Sequence, residues 1–317
     1  MSAPVVPAAL ADQVSPTEAG AAWLERLPGL IEQARERWGL TIADPFPTGT
    51  AGWTAPARTR DGGDVVVKIV FPHAEAEAEP VGLRLWSGRG GPELLAHDPA
   101  SWTLLLRRIR PGHDLSHDED LSRRPPEQRL EIAAELLATL HAAPLGDPPA
   151  PLPRLSDYTA ELAAILRERT PRHAPALGAD RGLLSEAAAL LEDLPREARP
   201  RPVHGDANPG NLLADDATGT RRWVAIDPKP MLGDPAYDPA PLLSQVDDPF
   251  RSEDATTLLR RRTRVVAATT GLDAGRVAAW AMARTAESAL WRADKLGDPD
   301  GASAELAQAR AWSRLAV

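Results

Sequence analysis

The stretch from Val203 to Asp227 constrains this chain more than any other. It opens Val203-His204-Gly205-Asp206-Ala207-Asn208-Pro209-Gly210-Asn211. A short apolar run, Leu212-Leu213-Ala214, follows, then a turn from Asp215 to Thr220 rich in Asp, Thr and Gly, then a second run, Trp223-Val224-Ala225-Ile226. Two apolar runs joined by such a turn predict a β-hairpin. A hairpin of that length returns Asp227 to the side of Asn211, which itself stands a few residues after Asp206. Each residue has a plainer reading alone: Asp, Asn, Pro and Gly all form turns, and Asp227 fits a carboxylate at a strand end.

Upstream, the texture divides the chain. Ser15-Pro16-Thr17-Glu18 reads as a capping box with proline at the first helical position, opening a leading helix over 16–38. Trp23, Leu27, Leu30, Ile31, Ala34 and Trp38 recur along it at helical spacing. From Ala43 to Val70, glycines and prolines punctuate short segments, and Asp61-Gly62-Gly63-Asp64 is a hairpin signal ahead of the β-branched run Val65–Val70. Ala74 to Trp86 reads as a helix and Ser101 to Arg107 as a strand, giving a small α+β lobe over 1–108. Pro111 to Pro126 is loop-like. Helical patterns dominate afterwards: Glu127 to Leu140, two helices between Asp157 and Leu194, and the segment from Thr257 onward. A larger, mainly helical lobe over 109–317 is therefore expected.

Composition removes several classes of function. There is no cysteine, which excludes disulfides, Cys-ligated zinc and a Cys nucleophile. The formal net charge of -9 argues against nucleic acid as partner, because phosphate backbones require a basic surface. Met1 to Leu10 lacks the pattern of a signal peptide, and no apolar run reaches the ~20 residues of a membrane span. A cytoplasmic location without membrane association is expected.

The chemistry of the spacing is that of phosphoryl transfer. Protein kinases carry an Asp followed, after four intervening residues, by an Asn, as Asp206 and Asn211 do here. A carboxylate can orient an attacking hydroxyl and accept its proton. An Asn oxygen and the Asp227 carboxylate can hold a Mg²⁺ that neutralises phosphates. Lys68 interrupts an apolar β-run, and a buried charge requires a partner. Glu79 on the next helix is the expected one, with Glu75 the rival. An edge-strand lysine facing solvent is the plainer reading of Lys68.

Taken together, Val203 to Leu242 resembles the aminoglycoside phosphotransferase family. Ala225-Ile226-Asp227-Pro228-Lys229-Pro230, with Gly233-Asp234-Pro235-Ala236-Tyr237-Asp238, is similar to its streptomycin 6-phosphotransferase and hydroxyurea phosphotransferase branch. Phe71 to Glu77 and Leu83-Arg84-Leu85-Trp86 also resemble that branch, and the likeness extends over most of Thr48 to Leu243.

The resemblance implies a bilobal α+β fold of protein-kinase type, with the N-terminal lobe covering ATP and the C-terminal lobe holding a small-molecule acceptor. It implies Asp206 as the catalytic base, Asn211 and Asp227 as ligands of Mg²⁺, and Lys68 on phosphate oxygens. Gly49 and Gly52 fall in the nucleotide loop, and Arg107 to Ile109 in the hinge whose backbone meets adenine. Asp238 is expected to anchor the catalytic loop and His204 to support it. The implied activity is ATP-dependent phosphorylation of a hydroxyl on a streptomycin-like aminoglycoside. Hydroxyurea, a metabolic alcohol, or nucleotide binding without catalysis are the alternatives.

Two departures bear on this. Gly49-Thr50-Ala51-Gly52-Trp53 is not the Gly-x-Gly-x-x-Gly loop of protein kinases, and Ala207-Asn208 stands where relatives often have Leu-His. Lys229 is a candidate for a phosphate contact, with a solvated loop lysine the plainer reading, and Asp234, Asp247 and Asp248 are candidates for an acidic rim facing a guanidinium-bearing acceptor, with solvated surface the plainer reading. Trp86, Trp102 and Trp223 read as core, and Trp280 and Trp291 as packing residues.

Overall fold

The computed structural model describes residues 5–316 apart from Thr48, Thr50, Ala179 and Thr218. The chain divides into two compact units, Met1–Arg110 and Pro111–Val317. The first unit holds α1 (Ala8–Val14), α2 (Glu18–Trp38), β1 (Thr41–Ile42), β2 (Gly52–Arg58), β3 (Asp64–Val70), α3 (Ala74–Glu77), α4 (Glu79–Trp86), β4 (Leu94–Asp98) and β5 (Thr103–Arg107). Its five strands form one antiparallel sheet in the order β1-β2-β3-β5-β4.

Alternation along β3 decides what each face of this sheet meets. Val65, Val67 and Ile69 point into a cluster with Trp23 and Leu27 of α2 and Trp53 of β2. Val66 and Val70 point the other way, to Leu104, Leu106 and Leu83 of α4. A period of two therefore sends Lys68 to the α4 face.

Two expectations need correction here. The leading helix begins at Glu18, because the Thr17 hydroxyl, not Ser15, caps it by accepting the Gly20 N–H at 3.0 Å. A further short helix, α1, precedes it. The helix expected over 74–86 is broken at Ala78 into α3 and α4. Pro80 accounts for the break: its ring has no N–H and collides with the carbonyl of Ala76, four residues back.

The second unit holds β6 (Pro111–Asp114), α5 (Glu119–Ser122), α6 (Pro126–His141), α7 (Leu155–His173), α8 (Arg181–Glu197), β7 (Arg201–Val203), β8 (Leu212–Asp215), β9 (Arg222–Ala225), β10 (Met231–Gly233), α9 (Ala240–Gln245), α10 (Ala255–Thr270), α11 (Ala274–Trp291) and α12 (Pro299–Ser313). The segment expected as loop, 111–126, thus contains β6 and α5. β6 pairs with β8, so the predicted hairpin β8–β9 becomes a three-stranded sheet, and β7 pairs with β10.

Helix α11 is apolar on nearly every side, with Val277, Ala278, Trp280, Ala281, Met282, Ala283 and Ala286 all fully buried. A helix with that pattern belongs inside a bundle, and α7, α8, α10 and α12 pack on it. Among the described residues, no helix is long and apolar enough to cross a membrane.

Candidate active site

In the first unit, Lys68 Nζ lies 2.6 Å from Glu79 Oε1, and both side chains are buried. The break at Pro80 makes Glu79 the first residue of α4, so its carboxylate projects toward the sheet face where Lys68 emerges. Glu75 sits on α3 and is exposed. A buried lysine on an internal strand paired in this way is an oriented cation rather than a surface charge, which corrects the edge-strand reading.

Gly52 opens β2 with its Cα packed on β3: a Cβ there would approach Ile69 O to 3.0 Å. Gly49 has φ +122, a left-handed conformation that glycine adopts readily. Thr48 and Thr50 lie outside the described residues, so only part of the expected nucleotide loop is in view. At the other end of the sheet, the Arg107 N–H donates to Glu93 O at 2.9 Å and the Arg108 N–H to Asp64 O at 3.2 Å. Ile109 follows and is buried.

In the second unit, the loop after β7 is held from below by Asp238. That carboxylate is fully buried and accepts the His204 N–H at 2.8 Å, the Gly205 N–H at 2.9 Å and His141 Nε2–H at 2.8 Å. Burial alone would raise the Asp238 carboxyl, but the His141 hydrogen bond and the charges and N–H around it prevail and hold it below the usual carboxylate range.

Gly205 has φ +82, and a Cβ there would sit 2.1 Å from Lys229 O. No side chain fits, because the Lys229 segment lies directly on this turn and its N–H donates to His204 O at 2.9 Å. The His204 ring is buried and its Nδ1 accepts the Asp206 N–H at 3.3 Å. Burial holds that imidazole below its ordinary range, against the pull of the Asp238, Asp206 and Asp227 carboxylates.

Above this anchor the loop opens. Asn211 Nδ2 donates to Asp206 O at 2.9 Å, which leaves its Oδ1 as the atom available to a cation. The Ile226 N–H donates to Asn211 O at 2.8 Å, so β9 delivers Asp227 next to Asn211. Asp227 has φ +54, a backbone conformation uncommon outside glycine but tolerated by Asp. The Asp227 carboxylate and the Asn211 amide oxygen are hard donors suited to Mg²⁺, which takes its remaining ligands from water and phosphate. Among the described residues no cluster of three or more His, Cys, Asp or Glu could hold a metal by itself. Asn211 and Asp227 are the two donors here that could hold such an ion together with nucleotide phosphates.

The orienting role of Asn208 and the part played by His141 escaped the sequence reading. Asn208 Nδ2 donates to Asp206 Oδ1 at 3.0 Å while its Oδ1 accepts the Gly210 N–H, so it orients the carboxylate that the motif presents. An Asn two residues after an Asp in a turn was the available signal. Lys229 Nζ stands 3.9 Å from Asp206 Oδ2 and is half-exposed. His141 had no sequence signal, because its partner Asp238 lies on a distant segment.

Other readings change. Asp234 is buried, not solvated: it accepts Arg276 Nε–H at 2.6 Å, Trp280 Nε1–H at 2.7 Å and the Ala236 N–H at 3.0 Å. Asp247 accepts from the buried Arg129, and Asp248 caps the turn at Phe250. Trp102 and Trp223 are only half-buried, whereas Trp86 and Trp280 are core. Trp291 is exposed at the end of α11.

Comparison with known proteins identifies the family and the fold. Streptomycin 6-kinase of Streptomyces glaucescens is 36% identical over 92% of this chain and 92% of its own length. Hydroxyurea phosphotransferase of Kitasatospora aureofaciens is 36% identical over 87% of this chain and 76% of its own. A choline kinase of Streptococcus pneumoniae shares the fold, with a TM-score of 0.59 at 14% identity, covering 90% of this chain and 99% of that one. The fold is therefore the α+β fold of the small-molecule kinases. The family model for aminoglycoside/hydroxyurea antibiotic resistance kinases matches residues 37–296, and the chain belongs to that family.

Proposed function

We propose that the protein transfers the γ-phosphoryl of ATP to a hydroxyl of a streptomycin-like aminoglycoside. The observation that carries this reading is the open face of the second unit's loop, where Asp206, Asn211 and Asp227 present oxygens over a buried anchor. Asp206 orients the acceptor hydroxyl and takes its proton as the oxygen attacks phosphorus. The bond from the γ-phosphorus to its bridging oxygen breaks, and ADP leaves with that electron pair. Asn211 and Asp227 are the residues that would hold Mg²⁺, which supplies charge neutralisation on the phosphates.

In the first unit Lys68, aimed by Glu79, holds phosphate oxygens, and the Gly49–Gly52 loop lies over them. The Arg107–Ile109 backbone serves adenine. With the N–H groups of Arg107 and Arg108 already engaged, the Ile109 N–H is the donor this role points to. The relatives' names support streptomycin first. Hydroxyurea is the second reading, favoured by an equal identity to a hydroxyurea phosphotransferase.

The test is ADP release by the purified protein with Mg·ATP, against streptomycin, other aminoglycosides, hydroxyurea and simple metabolic alcohols. Streptomycin-stimulated release is expected. Stimulation by hydroxyurea alone would shift the substrate, and ATP binding without any stimulation would sink the catalytic reading.

A further inference from the structure

We infer that Lys229 is a catalytic residue whose ammonium binds the phosphoryl group in flight beside Asp206. The inference rests on the kinase reading of this loop and adds a residue to it.

The placement of Lys229 is set by its backbone. It stands between Pro228 and Pro230. The first proline has a fixed φ, and the second confines Lys229 to extended conformations. Its N–H is bonded to His204 O at 2.9 Å, and its carbonyl packs on the Cα of Gly205. Lys229 is thereby fastened to the two residues that precede Asp206, and it follows Asp227 by two positions. Its chain carries Nζ to 3.9 Å from Asp206 Oδ2, beyond hydrogen-bond range, with both side chains partly exposed.

As a structural ion pair this contact contributes little, because an exposed pair without a hydrogen bond is weak. As part of a reaction site it answers a specific electrostatic need. Asp206 and Asp227 place two carboxylates where a phosphoryl group must arrive, and His204, buried and shifted toward neutrality, does not offset them. Asn211 and Asp227 suit a cation on one side of the phosphoryl. Among the described residues of the second unit, Lys229 places a positive charge on the side of Asp206. A gap near 4 Å next to the base can be closed by a phosphoryl oxygen lying against Nζ. Donors poised where charge develops stabilise the transition state more than the ground state.

The chemical balance is unchanged by this role. The acceptor O–H breaks, the new P–O bond forms, the bond to the ADP oxygen breaks with its electrons going to ADP, and the proton goes to Asp206. Lys229 stays protonated throughout and exchanges no proton.

The experiment compares wild type, Lys229→Gln and Lys229→Arg by calorimetry and steady-state kinetics. Calorimetry uses Mg·ADP alone and Mg·ADP with aluminium fluoride, which stands in for the transferring phosphoryl. In Lys229→Gln, affinity for Mg·ADP should stay within about threefold, affinity for the fluoroaluminate complex should fall about 10²-fold, and kcat should fall about 10²–10³-fold with little change in KM for ATP. Lys229→Arg should recover part of both losses, which a merely structural lysine would not predict. Fluoroaluminate binding and kcat within about threefold of wild type in Lys229→Gln would overturn the assignment, as would an equal loss of affinity for Mg·ADP alone. A wild type that turns over no acceptor would overturn the proposed function, while the fluoroaluminate comparison still decides Lys229. A wild type that binds no Mg·ADP would overturn both.

Discussion

Asp238 and Asp206 serve the same loop from opposite environments. Asp238 is fully buried and its oxygens accept from two backbone N–H groups and one imidazole, all within 2.9 Å. The Asp206 side chain keeps 35% of its exposure, held by one amide at 3.0 Å and faced by an ammonium at 3.9 Å. A buried carboxylate must keep its partners, since losing one strands a charge away from water. It therefore fixes geometry and cannot exchange ligands during a reaction. An open carboxylate can trade a weak partner for a substrate hydroxyl at little cost. The loop thus separates the group that sets position from the group proposed to do the chemistry, with Gly205 as the turn between them.

The largest effect should come from the open side. Asp206→Asn keeps the shape and the Asn208 contact but removes the proton acceptor. Turnover should fall about 10³-fold or more, equivalent to about 4 kcal/mol, while urea unfolding shifts by less than about 1 kcal/mol. Kinetics and denaturation on one preparation check both halves. Near-normal turnover would remove Asp206 from the chemistry. A large stability loss would show that it belongs to the anchor.

The anchor should behave in the opposite way. Asp238→Ala leaves His141 and the N–H groups of His204 and Gly205 buried without their acceptor. A stability loss of about 3–5 kcal/mol is expected from removing one partner of a buried charged network. Urea titration measures it. A loss below about 1 kcal/mol would mean that water replaces the carboxylate and that burial does not distinguish the two acids.

The sequence made the open side legible and left much of the anchor hidden, for a physical reason. Asp206, Asn211 and Asp227 lie on one loop and its hairpin, so turn residues and alternating apolar runs suffice to bring them together. Lys68 announced itself as a charge inside an apolar strand. What selected Glu79 over Glu75 as the partner shown was the helix break at Pro80, a single-residue effect inside an otherwise helical pattern. Asp234 read as surface because its partners, Arg276 and Trp280, are far along the chain on α11. Local polarity carries no trace of such a partner. β6 carries Pro111, Gly112 and two polar residues, so it lacks a strand pattern and exists through its pairing with β8.

The smallest effect separates the two buried groups of the anchor by pH. Both His204 and Asp238 have folded-state values held below their ordinary ranges. For each, the unfolded chain takes up a proton before the folded one does, so the unfolded state binds more protons and stability falls as pH falls. The windows differ. His204 contributes stability that is complete above its unfolded value of about 6.5 and is lost as pH drops through the folded value. Asp238 contributes nothing to pH dependence until pH nears the unfolded carboxylate value of about 3.9. Between the unfolded and folded values of His204, wild type should lose stability as pH falls, with a limiting slope of about 1.4 kcal/mol per pH unit attributable to one imidazole. His204→Asn keeps an acceptor for the Asp206 N–H but does not titrate. Subtracting its urea stability from that of wild type at each pH isolates the histidine, since the other groups titrate in both proteins. A difference that shrinks steadily as pH falls below about 6.5 is expected. A difference that stays flat down to about pH 4 would place the acid sensitivity of the loop on Asp238 alone.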